Sequence, residues 1–125
     1  MAASPEAALR RYALAYINWR ASSLPSHERA LAAMAIGPAR LAAEQTAASQ
    51  GAFSPLAAEH VQNSGVVEAV ARGQGPARGQ WVVVTQERTS GTGAYSGLPS
   101  APHVTLGAVT RLRRGWVVSR WRPAS

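Results

Sequence analysis

Two tryptophan-bearing stretches near the C-terminal end constrain this chain most: GQWVVVTQERTSG from residue 79 and PHVTLGAVTRLRRGWVVSRWR from residue 102. Both are rich in β-branched and aromatic residues with a period near two, the pattern of strands. They follow an alanine-rich half that reads as helix, and no helical segment separates one strand from the next. Helices first and strands second, without crossovers, predict an α+β fold. The expectation is three N-terminal helices packed on a curved, mainly antiparallel four-stranded sheet. A chain of 125 residues suits one domain, here 1–125, with helices over about 5–50 and sheet over about 66–122.

The local signals fill in this outline. Ser4 can cap a helix, Pro5 suits its first turn and Glu6 complements the dipole. Leu9, Tyr12, Ala13, Tyr16, Ile17 and Arg20 then share one face, with Trp19 just off it, and Ser22 to Pro25 ends the helix. A second helix, capped by Ser26, carries Leu31, Met34 and Ala35; Gly37-Pro38 breaks it, and a third runs to about Ser49. A loop is expected at 51–55 and a helical turn at 56–60. Strands are expected at 66–72, 80–89, 103–112 and 116–122, with the Val82-Val83-Val84 run central and buried on both faces.

The last hairpin allows a sharper deduction. A two-residue loop at Arg114-Gly115 pairs Leu112 with Val117, Thr110 with Ser119 and Ala108 with Trp121. Leu106, Ala108, Leu112, Val117 and Trp121 then face the core. Arg111, Arg113, Trp116, Val118, Arg120 and Arg122, with Val109, make an outer face. An odd loop would pair Ala108 with Arg120 and drive a charge inward, at a cost of several kcal/mol. Arginine and tryptophan on an exposed sheet suit a protein contact, and a homo-oligomer through this face is one form it could take.

Charge supports the same face. The basic residues are all arginine and the acidic ones all glutamate, for a net charge of +7. Residues 63–125 hold eight arginines against two glutamates, so nearly all the excess lies in the sheet half. Such a field attracts acidic partners. Nucleic acid is not the expected one, because Trp116 alone among the aromatics joins the basic face.

Catalytic chemistry finds little to use. With no cysteine there is no disulfide, thiolate site or cysteine nucleophile, and with no aspartate there is no serine–histidine–aspartate set. His27, His60 and His103 lack paired ligand spacing, so neither metal nor cofactor is expected. The glycines of SGTGAYSG precede no helix and make no phosphate loop. No catalytic residue is assigned; Glu87 and His103 are each candidates for acid–base work, with Tyr16, Trp19 and His103 as candidate lining of a cavity under the helices. No apolar run approaches a membrane span, and MAASPEAALRR lacks the apolar centre of a signal peptide.

Several segments together resemble the nuclear transport factor two-like (cystatin-like cone) superfamily. They are Tyr16-Ile17-Asn18-Trp19 closing the first helix, Asn63-Ser64-Gly65-Val66-Val67-Glu68-Ala69-Val70, Trp81-Val82-Val83-Val84-Thr85, His103-Val104-Thr105-Leu106, and Gly115-Trp116-Val117-Val118-Ser119-Arg120-Trp121. Within that superfamily the chain is similar to extracytoplasmic domains of conjugal transfer proteins from high-GC Gram-positive bacteria. The resemblance implies a membrane-tethered scaffold of a type IV secretion-like apparatus, working through protein contacts. It places the chain on the extracytoplasmic face of the membrane if an anchor has been removed, and otherwise in the cytoplasm. The alternative it implies is a small-molecule-binding or isomerase-like cone, with a pocket lined by Tyr16, Trp19, Glu87 and His103.

Overall fold

A computed structural model describes residues 1–49 and 55–124. Helix α1 spans Pro5–Ile17, and the Ser4 hydroxyl caps it by accepting from the Ala7 N–H at 3.1 Å. The helix stops at Ile17 because Asn18 turns its side chain to the sheet. Asn18 Nδ2 donates to the Leu14 carbonyl at 2.8 Å, while Oδ1 accepts from the Gly65 N–H at 3.1 Å. Trp19–Arg20 therefore leaves the helix as a two-residue strand, β1, paired with Asn63 and Gln62. A strand this short carries no alternation to read, so the sheet has five strands where four were expected.

Helix α2 (Leu24–Ala33) starts two residues before the expected Ser26 cap, and α3 (Gly37–Ser49) begins at the Gly37-Pro38 break. A single turn, α4 (Pro55–Ala58), leads into the remaining strands. The loop expected at 51–55 lies, apart from Pro55, outside the described residues. The strands are β2 (Gln62–Arg72), β3 (Trp81–Ser90), β4 (Ala101–Leu112) and β5 (Gly115–Pro123), antiparallel in the order β1-β2-β3-β4-β5 and curled into a half-barrel. This is the α+β arrangement that the element order predicts.

Helix α1 lies in the curl, and one cluster holds the layers together. Leu9, Tyr12 and Ala13 of α1, Leu31 and Ala32 of α2, and Ala39 and Ala43 of α3 meet Val83 and Val118 of the sheet. Alanine at the contact positions of α3 lets that helix approach closely. The free edge of β5 is closed by backbone bonds to Ala2 and Ile36, which removes part of a template for unwanted strand pairing.

The hairpin corrects the expected pairing. Its loop is Arg113-Arg114, so Leu112 faces Gly115, Thr110 faces Val117 and Val109 faces Val118. A bulge then intervenes, after which Ala108 faces Arg120 and Gly107 faces Trp121. The extra residue, Ser119, resets the alternation, so Trp116, Val118 and Trp121 all turn toward the helices. Arg120 stays exposed even though it is paired with Ala108, because Ala108 itself faces outward. A second irregularity between Val67 and Ala69 likewise lets Val67 and Val70 both reach the core.

Candidate functional site

Two surfaces carry the side chains singled out by the sequence: the outer face of the sheet and the crevice between sheet and helices. The outer face differs in membership from the expected one. Val118 is only 1% exposed and belongs to the core cluster, and Val109 and Trp116 pack against that cluster, so none of the three is available to a partner. Arg111, across from Trp116, holds its guanidinium 5.9 Å from that ring, and Arg113 lies in the turn. Arg120 and Arg122 do point outward, opposite Ala108 and Leu106.

What occupies the outer face instead is aliphatic. Val83 is fully buried, but Val82 and Val84 on either side of it are half-buried, because no helix among the described residues covers this side of the central strand. Their neighbours across the ladder are Leu106 and Val104 on β4, also half-buried, with Val66 of β2 beside Gln86 and 56% exposed. Exposed Arg88, Arg120 and Arg122 ring this patch. The expectation that the valine run is buried on both faces fails for want of a second layer. The signal for it was present: three consecutive valines in an antiparallel sheet with helices on one side must leave one or two of them uncovered.

In the crevice, Glu87 turns inward but is committed to structure. Its Oε1 accepts from Asn63 Nδ2 at 2.9 Å and its Oε2 from the Thr85 hydroxyl at 2.5 Å. Asn63 also donates to the Ile17 carbonyl at 2.6 Å and accepts from the Thr89 hydroxyl at 2.8 Å. This network fastens the end of α1 to β2 and β3 and satisfies the buried Asn63. Asn63 and Thr85 were not singled out from the sequence; buried polar residues on a strand carry no local mark.

Tyr16, Trp19 and His103 do not share a cavity. Tyr16 lines a space of about 100 Å³ under α3, while Trp19 lines a polar crevice with Asn18, Arg20 and His27. His103 is exposed on β4 opposite Thr85. Trp19 and His103 stand three strands apart, roughly 14 Å across the sheet at ordinary spacing, and are offset along it as well, since they align with Thr89 and Thr85 of β3. Among the described residues no group of three histidines or carboxylates could hold a metal ion, and no helix is long and apolar enough to cross a membrane.

No family model, curated protein or solved structure matches this chain. Its own geometry must therefore carry the functional reading.

The space beside Tyr16 has distinctive electrostatics. Burial, followed by the charges of Tyr16 and Glu28, pushes the Tyr12 hydroxyl well above its ordinary value. Tyr16 is raised by burial, then by Glu28 and Glu87, so both phenols stay neutral near pH 7. Burial also raises the Glu28 carboxyl, with His27 pulling weakly the other way. A carboxyl raised in the fold penalises the native state where it is ionised; that penalty fades as pH falls through the folded value toward the ordinary one near 4.3. Glu28→Gln is accordingly expected to melt higher than the parent at pH 7, the difference vanishing below about pH 4. Thermal melts across that range check it; a constant difference would mean that the carboxyl's ionisation is not the cause.

Proposed function

We propose that this chain is a non-enzymatic interaction domain that docks an acidic protein on the outer face of its sheet. The observation that carries this reading is the uncovered aliphatic patch of Val66, Val82, Val84, Val104 and Leu106, ringed by Arg88, Arg120 and Arg122. Apolar surface with a polar rim is the usual composition of a protein contact. The rim favours a partner of opposite charge over a second copy, since face-to-face pairing would bring like arginines together. The net charge of +7 supplies long-range attraction of the same sign preference.

The sequence resemblance to conjugal transfer domains of the nuclear transport factor two-like superfamily makes a conjugation or type IV secretion-like apparatus the first assembly to search. The alternative of an isomerase-like cone has weaker support. Glu87 is engaged by two donors, His103 is exposed at the sheet position opposite Thr85, and Trp121 packs edge to face on Tyr12. The space under α3 is about 100 Å³, below the roughly 300 Å³ of a substrate-sized pocket, and the larger spaces of about 410 Å³ at Trp19 and about 560 Å³ beside Trp121 are lined by neither Glu87 nor His103.

The test compares the parent, Leu106→Glu and the pair Arg120→Glu/Arg122→Glu as bait in extracts of the source cell, at low and high salt. The expected result is an acidic protein retained by the parent, weakened by salt, and lost at least tenfold on both variants, whose melting stays within a few degrees of the parent. Equal retention on all three baits rules the face out. A dimer of the parent in sedimentation, broken by Leu106→Glu, would replace the acidic partner with a second copy.

A further inference from the structure

The space of about 100 Å³ between α1, α2, α3 and β5 has an unusual wall. Three rings meet there: Tyr12 and Trp121 edge to face at 5.1 Å between centroids, Tyr16 and Trp121 tilted at 5.6 Å, and the two tyrosines nearly parallel at 6.3 Å. Glu28 of α2 lines the same space, and α3 contributes alanines that leave it open. We propose that this cavity binds a compact organic cation of the quaternary ammonium class, its methyl groups against the rings and its charge facing the Glu28 carboxylate. This inference is independent of the outer-face reading, because the cavity lies on the opposite side of the sheet.

Three observations lead there. The first is the rings, whose π faces carry partial negative charge and attract a cation within about 6 Å. The second is Glu28. In a chain with thirteen basic residues, all arginine, this carboxylate has no ion pair or hydrogen bond among the described residues. Arg40 of α3 pairs with Glu44 at 3.0 Å. Facing Glu28 across the cavity are the neutral Tyr12 and Tyr16, and α3 presents no charged side chain to it. Burial holds the Glu28 carboxyl above its ordinary range, so a cation arriving there relieves a desolvated charge.

The third observation is size and donor chemistry. An apolar cavity near 150 Å³ holds a six-carbon ring, so one of about 100 Å³ takes roughly four or five heavy atoms, the size of a trimethylammonium head. Besides ring faces and alanine methyls, the wall holds the Glu28 carboxylate and the Thr46 hydroxyl, which already donates to the Ala42 carbonyl at 3.0 Å. A guanidinium, with five N–H donors, would therefore enter with some of them unpaired. A methylated cation has no such donors to satisfy.

The test is a proton NMR titration of the full chain at pH 7 with tetramethylammonium chloride, at constant ionic strength. The expected result is a saturable upfield shift of the N-methyl signal with an affinity in the range of about 1 mM or tighter, since ring currents act only on methyls held over the rings. Glu28→Gln should weaken binding about tenfold, and Tyr16→Leu, on the exposed side of α1, about fivefold. tert-Butanol, of similar shape without the charge, should bind at least tenfold more weakly. Absence of a saturable shift, equal binding of tert-butanol, tighter binding of guanidinium, or parent-like affinity of folded Glu28→Gln would each overturn the proposal. Should Tyr16→Leu fail to fold, the Glu28→Gln and tert-butanol comparisons still decide it.

Discussion

Trp121→Ala is expected to lose about 3–5 kcal/mol of stability, the range for deleting a large aromatic from a packed site. The indole is the floor on which α1 rests. Tyr12 meets it edge to face at 5.1 Å, Tyr16 leans on it at 5.6 Å, and Gly107 on the adjacent strand keeps room for it. A methyl at Gly107 would come within 3.4 Å of the indole Cε3, ordinary contact, and 2.9 Å of Leu9 Cδ2, so the leucine end would have to shift. Removing the ring merges its volume with the neighbouring space under α3, which the surrounding alanines are too short to fill. Urea unfolding followed by circular dichroism measures the loss. Trp121→Phe serves as the control and should stay within about 1.5 kcal/mol, because it keeps most of the contact and removes an indole Nε1 that has no hydrogen-bond partner among the described residues. A loss below about 1 kcal/mol for the alanine variant would mean that the helix layer does not rest on this ring.

The same tryptophan shows where the sequence could and could not be read. Element order, the Ser4 cap, the Gly37-Pro38 break and the placement of Trp121 inside and Arg120 outside all follow from local chemistry and from the cost of burying a charge. Side-chain alternation alone cannot place Trp116. It stands five residues before Trp121, and strict alternation sends an odd separation to opposite faces. The structure turns both inward by inserting Ser119, and serine carries no mark of a bulge. The usable hint lay across the ladder, in Gly107: a glycine inside a strand pattern signals close approach or a bulge. One consequence is that Trp116→Glu, attractive as a surface substitution if the face is regular, strikes a ring packed on the core. The outer face departs from alternation for a related reason. The arginines drew attention to the last hairpin, whereas the uncovered aliphatic side chains lie mostly on β3 and β4, where a run of valines looks like ordinary core until the missing second layer is counted. Periodicity extends α1 to Trp19, because the departure of that residue depends on Asn18 bonding to Gly65, a contact between residues 47 apart in the chain.

That contact gives the second large effect, at Gly65. Gly65→Ala is expected to cost about 3 kcal/mol, near the upper end for overpacking. The reason is approach and not backbone freedom. A Cβ on Gly65 would collide with the Gln86 carbonyl oxygen and lie 3.1 Å from Glu87 Cα, both backbone atoms of the central strand that cannot rotate aside. The strands must therefore part. Parting them pulls the Gly65 N–H from Asn18 Oδ1 and shifts Asn63 away from the Glu87 carboxylate, leaving polar groups of a buried network unpaired. Gly75 offers the contrast: its φ is +56° with nothing within 4 Å of a Cβ, so Gly75→Ala pays only the left-handed backbone cost of about 1–2 kcal/mol. Urea denaturation of both variants should rank Gly65→Ala clearly below Gly75→Ala. The amide protons of Ile17 to Arg20 should also exchange faster in Gly65→Ala alone, because it frees the end of α1. If the two variants prove equally stable, or exchange at 17–20 is unchanged, then Gly65 is not the point where helix and sheet are joined.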